Sequence, residues 1–183
     1  MGERHSSYDR VNDDWYVEPD WCVDLLRQHV DLREGIHDPC AGVGTIVNNF
    51  ITSGIWATGA DIVNRGVGLD IRDYMTDEVM RRNIVTNPPY KLTEKIVRHA
   101  LAHTDHRVCV LVPLNFLAGQ KRFPFYTETP LEKIIILSRR PSMPPGEMLL
   151  QHGEEYRKNG SIDFCWIVWG HKHEGPPTIV WAK

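Results

Sequence analysis

An Asn-Pro-Pro-Tyr tetrapeptide occupies residues 87–90, directly after a short apolar run typical of a strand. Asn87 brings a side-chain carbonyl that can accept a hydrogen bond, and Tyr90 brings a flat ring that can stack on a planar group. The consecutive prolines Pro88 and Pro89 fix the backbone and donate no N–H, which leaves nearby carbonyls free to accept. Such a site can hold an –NH2 group while it clamps the attached ring or amide. The tetrapeptide therefore predicts chemistry on a planar nitrogen, and the alternative is a rigid turn that only caps the strand.

A second pattern, Asp-Pro-Cys-Ala-Gly-Val-Gly, covers residues 38–44 between a predicted strand and a predicted helix. Glycine lets the backbone turn sharply and approach a ligand, and a helix N-terminus offers free N–H groups and partial positive charge. The pattern is half of a dinucleotide fingerprint, because Val47 stands where the third glycine would be. Asp61, at the end of the next predicted strand, has the place of an acid that binds ribose hydroxyls. Together these features favour a ribose-containing ligand over a tight β–α turn with a surface acid.

The elements that position these motifs alternate along the chain. Strands are predicted over residues 35–37, 56–62, 67–70, 83–86, 108–113, 133–137 and 164–169, and helices over residues 20–30, 45–53, 76–82 and 92–103. Strands that alternate with helices predict an α/β fold with a mostly parallel, doubly wound sheet and helices on both faces. The last two predicted strands have no predicted helix between them, so we expect an antiparallel terminal strand. Residues 138–161, rich in proline and glycine, are predicted to form a loop excursion.

Length and composition limit the classes of protein. A chain of 183 residues has the size of one domain, so we expect a flexible lead-in over residues 1–14 and a single domain over residues 15–183. The net charge of −3 argues against a basic nucleic-acid coat protein but allows a local basic groove. Four cysteines without a CxxC pair argue against a zinc ribbon and suit a reducing, cytoplasmic compartment. The most apolar run, residues 108–118, is too short to span a membrane.

The motifs together resemble those of class I S-adenosylmethionine-dependent methyltransferases that act on amino groups, of the DNA N6-adenine or N4-cytosine type. Residues 38–44 resemble the family's methionine-binding motif, and Asp61 resembles the acid of the next motif. Asp73, in an Asp-Tyr-Met segment, resembles the acid that binds the adenine amino group of the cofactor, and residues 87–90 resemble the catalytic motif. Residues 15–19 resemble a Tyr-x-Thr-Pro segment, in which glutamate replaces the usual threonine here. The tryptophan-rich tail is similar to that of small members carried by phages and prophages.

The resemblance implies a Rossmann-like class I methyltransferase fold with S-adenosyl-L-methionine as cofactor and S-adenosyl-L-homocysteine as product. The implied cofactor-binding residues are Tyr16, Pro19, Asp38, Pro39, Cys40, Ala41, Gly42, Gly44, Asp61, Ile62, Asp73 and Tyr74. The implied catalytic residues are Asn87, Pro88, Pro89 and Tyr90. In this family the target adenine leaves the duplex, the asparagine Oδ1 and the first proline carbonyl accept from its N6, and the tyrosine stacks on its ring. No metal is expected.

DNA is the expected partner, with no membrane and with a monomer or homodimer as the assembly. The candidates for phosphate contacts are Lys91, Lys121, Arg122, Arg139 and Arg140, which follow the carboxyl ends of predicted strands. Phe123, Phe125 and Tyr126 are either aromatic groups that flank a flipped base or packing residues of a loop. Three alternatives stay open: methylation of RNA adenine N6 or of a protein glutamine amide, a non-catalytic cofactor-binding module, and a nicotinamide dehydrogenase.

Overall fold

The computed structural model describes Tyr8 and residues 15–183 and contains an eight-stranded sheet. In chain order the strands are β1 (Ile36–Asp38), β2 (Ala57–Asp61), β3 (Asp70–Ile71), β4 (Arg81–Thr86), β5 (Thr104–Pro113), β6 (Leu131–Leu137), β7 (Phe164–Gly170) and β8 (Thr178–Ala182). The helices are α1 (Asp20–His29), α2 (Thr45–Thr52), α3 (Thr93–Ala102), α4 (Phe123–Glu128) and α5 (Gly146–His152). The lead-in predicted over residues 1–14 lies outside the described residues, apart from Tyr8.

The strand order across the sheet is β3-β2-β1-β4-β5-β7-β6-β8. The pairs from β3 to β5 are parallel, β7 runs antiparallel to both of its neighbours, and β8 pairs in parallel with β6. The chain order reverses between β1 and β4, because β2 and β3 lie on one side of β1 and the later strands lie on the other. Open α/β sheets bind ligands at such a reversal, outside the carboxyl ends of the strands. The mostly parallel sheet with one antiparallel strand confirms the predicted fold class.

Two apolar cores cover the two faces of the sheet. Successive side chains of a strand point to opposite faces, and in β5 Cys109 and Leu111 join the core under α1 and α2. Val108 and Val110 of the same strand join the other core, which contains Ile96 and Val97 of α3 and Phe125 of α4. Helices therefore lie on both faces, as predicted. Among the described residues, none of the helices has the length and apolar composition that a membrane span requires.

The helix predicted over residues 76–82 is wrong. A short 3-10 turn covers Tyr74–Thr76, and β4 already begins at Arg81. Two aspartates account for the difference because their side chains satisfy backbone donors that a helix would use. Asp73 Oδ1 accepts from the Met75 amide at 3.0 Å, and Asp77 Oδ1 accepts from the Val79 amide at 3.0 Å. Such local side-chain bonds compete with helix formation.

Several further elements have no counterpart among the predicted ones. Helix α4 and two 3-10 turns follow β5, helix α5 lies inside the predicted excursion, and strand β8 lies at the edge of the sheet. Helix α5 begins beside prolines and glycines that favour loops. In β8, Ile179 and Trp181 are exposed, so the strand lacks the apolar pattern that burial of one face would impose.

Gly59 lies in the middle of β2, where the strand passes close to α2. A Cβ at this position would come within 2.7 Å of Val47 Cγ2 and 2.9 Å of Ala41 Cβ. Because overpacked cores must shift to relieve such contacts, we expect Gly59→Ala to lower the free energy of unfolding by about 1–3 kcal/mol. Urea unfolding followed by circular dichroism measures the change through the midpoint.

The matched control is Val47→Ala, which removes the side-chain atom closest to the added methyl group. Val47→Ala costs stability alone by opening a cavity, but it makes room for the added methyl group. We expect the Val47→Ala/Gly59→Ala protein to be more stable than the sum of the two single changes indicates. Additive losses would show that the contact between α2 and β2 is not what requires glycine.

Candidate active site

A cavity of about 460 Å³ opens at the carboxyl ends of β1, β2 and β4, at the reversal of strand order. Its size is within the range of small-molecule sites. Of the residues expected to bind a cofactor, those that line it are Tyr16, Pro39, Cys40, Ala41, Gly42, Asp61, Ile62, Asp73 and Tyr74. Asn87, Pro89 and Lys91 line the same cavity, so it joins the two motifs found in the sequence. Pro19, Asp38, Gly44, Pro88 and Tyr90 are not among the lining residues.

The turn between β1 and α2 requires its glycines. Gly42 and Gly44 have φ angles of +53° and +84°, a backbone region that favours glycine. Asp61 holds this turn from the end of β2, because its Oδ2 accepts from the Gly42 amide at 2.9 Å. Its Oδ1 accepts from the Val63 amide at 2.9 Å. Asp61 therefore joins the ends of β1 and β2, and a carboxylate has further lone pairs with which to accept from a ligand.

Asp38 and Cys40 are structural parts of the same turn. The Asp38 side chain is 1% exposed and accepts from the Cys40 amide at 3.1 Å. Burial raises the pKa of the Asp38 carboxyl well above its usual value, and the nearby Glu18 adds to this. Burial also raises the pKa of the Cys40 thiol. A thiol that stays protonated is a poor nucleophile.

The indole of Trp15 covers the glycine turn. A Cβ on Gly42 would come within 2.6 Å of Trp15 Nε1, and a Cβ on Gly146 would overlap the same indole. The guanidinium of Arg65 stacks on the Trp15 ring at 3.8 Å and lies 3.7 Å from Asp61 Oδ1. Trp15 Nε1 and Arg65 Nε are buried donors without a hydrogen-bond partner among the described residues. Two unused donors beside a glycine turn suit a ligand that carries an anionic group.

The opposite part of the cavity is formed by the segment after β3. Asp73 is exposed and lies beside Tyr74, which is buried. The Tyr74 ring meets the edge of the His99 ring at 4.9 Å, and burial raises the pKa of its hydroxyl. The contact with α3 fixes Tyr74, so the carboxylate of Asp73 is held at the cavity wall, where it can accept from a ligand.

Asn87 follows the last residue of β4, and its amide has a defined orientation. Asn87 Nδ2 donates to the Tyr16 carbonyl at 2.9 Å and to Glu18 Oε2 at 2.8 Å. Both acceptors are oxygen atoms, so the two hydrogens of the amide nitrogen are used within the protein. Asn87 Oδ1 is therefore the part of this side chain that remains to accept a hydrogen bond from a ligand.

Tyr90 packs beside the cavity rather than into it. Its ring is parallel to that of Tyr16, with 6.3 Å between centroids and 2° between planes, and it is tilted against Phe164 at 6.1 Å. Pro88 is buried, whereas Pro89 lines the cavity and accepts from the Leu92 amide at 2.8 Å through its carbonyl. The two prolines thus lead the chain from β4 into α3 past the cavity.

Comparison with known proteins gives no match to a family model or to a curated protein. Solved structures do match. A protein assigned as the modification subunit of a type I restriction enzyme from Vibrio vulnificus aligns with TM-score 0.57 and 14% identity over 93% of this chain, and this chain spans about half, 48%, of that protein. A protein assigned as an RNA methyltransferase from Pyrococcus horikoshii aligns with TM-score 0.58 and 12% identity over 82% of this chain and 80% of its own. Magnesium protoporphyrin IX methyltransferase from Synechocystis, solved with bound S-adenosylmethionine, aligns with TM-score 0.55 and 10% identity over 82% of this chain and 78% of its own.

These alignments indicate a shared fold. The chain has the class I methyltransferase fold. In this methyltransferase fold, the glycine turn after β1, the acid after β2 and the tetrapeptide after β4 all lie at one edge of the sheet, around one cavity.

The cations predicted to contact phosphate have different surroundings. Lys91 lines the cavity and Lys121 is exposed. Arg122 donates to the Ala118 carbonyl at 2.7 Å. Arg140 pairs with Asp163 at 2.6 Å, and the guanidinium of Arg139 lies 5.1 Å from the centre of the Trp21 ring. Lys91 and Lys121 are thus the cations of this set for which no contact within the protein is described.

The aromatic residues after β5 also divide into two groups. Phe125 is fully buried in the core against Trp169, and the Tyr126 hydroxyl donates to the Phe116 carbonyl at 2.9 Å. Phe123 is 68% exposed. Phe125 is therefore a packing residue, and Phe123 is the ring of this set that is accessible at the surface.

Sequence reasoning missed several lining residues: Trp15, Glu18, Arg65, Arg72 and Lys95. Lys95 carried a usable signal, because it is a lysine in the first turn of the helix predicted directly after the tetrapeptide. Glu18 could have been noticed because it departs from the Tyr-x-Thr-Pro pattern that residues 15–19 resemble, in which threonine has this position. No cluster of three or more His, Cys, Asp or Glu side chains suited to a metal ion occurs in the described part of the chain.

Proposed function

We propose that this chain is an S-adenosylmethionine-dependent methyltransferase that methylates an exocyclic amino nitrogen, with N6 of adenine in DNA as the substrate. The observation that carries the proposal is the orientation of the Asn87 amide. Its nitrogen is bound to Tyr16 and Glu18. The remaining oxygen is an acceptor in the same cavity as the glycine turn, and an amino group needs such an acceptor.

The residues of the cavity fit the cofactor. Gly42 gives a turn without a side chain, and the Asp61 carboxylate can accept from ribose hydroxyls. Asp73 is placed to accept from an adenine amino group, and the unused donors of Trp15 and Arg65 suit the carboxylate of the methionine moiety. When bound, S-adenosylmethionine supplies an electrophilic methyl group.

The residues around the tetrapeptide bind and orient the amino group. Asn87 Oδ1 accepts one amino hydrogen, and the Pro88 carbonyl is the expected acceptor of the other. Bonds to both hydrogens favour tetrahedral character at the nitrogen and direct its lone pair. Tyr90 is the stacking partner that the sequence predicts, although its ring packs beside the cavity against Tyr16 and Phe164. Catalysis of this kind depends on positioning and electrostatics, and it needs no nucleophile from the protein.

Positive charge beside Asn87 favours a nucleic acid over a protein amide. Lys91 and Lys95 line the same cavity as Asn87, with Lys91 in the turn before α3 and Lys95 in the first turn of α3. Phosphate contacts from lysine and arginine supply most of the non-specific affinity for DNA. A flipped adenine brings its flanking phosphates to the rim of the pocket. A glutamine side chain has no anionic group there for these lysines to bind.

The deciding experiment follows tritium from labelled S-adenosylmethionine into separate pools of DNA, RNA and protein. We expect label in DNA, at N6 of adenine after nucleoside analysis. Label in protein or RNA but not in DNA would overturn the choice of substrate. Cofactor binding by calorimetry without transfer to any pool would identify a binding module instead.

Lys91 and Lys121 give a prediction for DNA affinity. If each contacts one phosphate, each alanine variant should weaken binding and reduce the slope of log Kd against log salt concentration by about 1. Fluorescence anisotropy with a labelled duplex across a salt series measures this slope. Lys172, exposed in the turn after β7, provides the control, and Lys172→Ala should leave the slope unchanged. Equal slopes for all the variants would contradict the assignment of the phosphate contacts.

A further inference from the structure

Glu18 is a buried carboxylate in contact with Asn87. Its side chain is 6% exposed, and its Oε2 accepts from Asn87 Nδ2 at 2.8 Å. The residue lies between the extended segment that carries Trp15 and the start of α1 at Asp20.

A carboxylate determines which way a side-chain amide faces. The two ends of an amide are alike in shape, but one end donates and the other accepts. The Tyr16 carbonyl and an ionised Glu18 carboxylate only accept, so together they select the nitrogen of Asn87. A partner that can donate as well as accept would hold either orientation.

The backbone around Glu18 is anchored by a side chain from the excursion. The guanidinium of Arg157 donates to the carbonyls of Val17 at 2.8 Å, Ser142 at 3.0 Å and Glu18 at 3.2 Å. Arg157 also pairs with Glu154 at 2.6 Å. Residues far apart in the chain therefore fix the place from which Glu18 reaches Asn87.

We propose that Glu18 is a positioning residue, whose carboxylate holds the Asn87 amide with Oδ1 directed to the amino group that receives the methyl. This inference rests on the proposed function, because the direction of Oδ1 affects catalysis only if an amino nitrogen is the acceptor. In this role Glu18 acts through Asn87, although its side chain also lines the cavity.

Protonation of Glu18 would weaken its control over the orientation of the Asn87 amide. Burial raises the pKa of its carboxyl, while the hydrogen bond from Asn87 and the charge of Arg157 oppose the rise. The charge of Asp20 adds to the rise, and Glu18 in turn raises the pKa of the neighbouring Asp38 carboxyl and Cys22 thiol. The protonated carboxyl has an O–H that can donate to Asn87 Oδ1 and turn the amide over. Activity should therefore be present above the pKa of Glu18 and fall as the pH drops through it.

The test compares Glu18→Ala, Glu18→Gln and the exposed control Glu147→Gln in the full chain. We expect Glu18→Ala to lower kcat by about 10- to 100-fold with little change in the KM for S-adenosylmethionine, since misplacement of a catalytic group has effects of this size. Glu18→Gln should recover only part of kcat at neutral pH, because its carbonyl oxygen can still accept from Asn87 but its NH2 group can also donate to Oδ1 and allow the other orientation. At acid pH, its kcat should also decrease less than that of the unaltered protein. Titration of Asp38 is one source of the decrease that is left.

Each result has a defined meaning. An unchanged kcat in Glu18→Ala overturns the proposal. A parallel loss of kcat, cofactor affinity and thermal stability that Glu18→Gln does not rescue also overturns it, because that pattern indicates a purely structural role. Glu147→Gln should match the unaltered protein throughout.

A second measurement does not depend on activity. In ¹⁵N NMR spectra, the side-chain amide of Asn87 should shift with pH in the unaltered protein and should lose this shift in Glu18→Gln. If the unaltered protein transfers no methyl group to DNA, the proposed function fails, and the NMR titration still decides whether Glu18 orients Asn87. An Asn87 amide that does not respond to pH in either protein would contradict the inference.

Discussion

Asn87→Ala is expected to lower kcat for methyl transfer by about 10²–10³-fold, with the Kd for S-adenosylmethionine changed by less than about threefold. Loss of one preorganised hydrogen-bonding group at a reacting centre has an effect of this size. The substitution removes the acceptor Oδ1 and leaves the glycine turn and Asp61 untouched. Tritium transfer measures kcat, and calorimetry measures cofactor affinity.

Two further variants make this expectation specific. Asn48→Ala, at an exposed position on α2, should have the kcat of the unaltered protein. Asn87→Asp retains an acceptor oxygen but places a second carboxylate beside Glu18, and two adjacent carboxylates raise the pKa of one of them. Its activity should therefore be low at neutral pH. Full activity in Asn87→Ala would remove the tetrapeptide from the mechanism.

Asp61→Ala is expected to raise the Kd for S-adenosylmethionine by about 10- to 150-fold. The carboxylate accepts from the Gly42 and Val63 amides, each at 2.9 Å, and lies 3.7 Å from Arg65. Its removal frees the glycine turn, leaves two backbone donors unpaired and deletes the acceptor for ribose hydroxyls. Hydrogen bonds to charged groups contribute about 1.5–3 kcal/mol each, which corresponds to this range in Kd.

Calorimetry on folded protein provides the measurement, with thermal unfolding recorded for each variant. Asp61→Asn keeps one acceptor oxygen, so its Kd should lie between those of the alanine variant and the unaltered protein. Asp70→Asn, exposed on β3, should bind normally. Unchanged affinity in Asp61→Ala would mean that the cofactor does not use the end of β2.

The parts of the fold that were predictable from sequence are those with local signals. The central strands are runs of β-branched residues, and α3 has an apolar face with the helical period. The edge strand β8 has β-branched residues and a tryptophan but no alternation of polar and apolar residues, and the segment after Asp73 lacks both signals. In β8, Trp181 is 68% exposed, and after Asp73 the side chains of two aspartates decide the backbone conformation. Solvent exposure and side-chain capping weaken the pattern on which sequence reasoning depends.

The candidate site also has parts that local sequence predicts and parts that it does not. The glycine turn and the tetrapeptide are each contiguous in sequence, so their residue types alone indicate the chemistry they can support. The hydrogen bond between Asn87 and Glu18 joins residues 69 positions apart, and the bond from Arg157 to the Val17 carbonyl joins residues 140 positions apart. Contacts at such separations depend on the completed fold, so no local sequence pattern predicts them.

The segment that carries Trp15 and Tyr16 also bears on how the protein is made. Its backbone pairs with residues near position 145, through the Val17 amide and the Pro144 carbonyl at 3.0 Å and the Gly146 amide and the Trp15 carbonyl at 3.1 Å. Contacts between such distant parts of a chain form late, because a long loop must close first. During translation, the glycine turn and the tetrapeptide emerge from the ribosome well before residue 157. During synthesis, the nascent chain therefore contains every predicted catalytic residue before it can hold the asparagine amide in its working orientation.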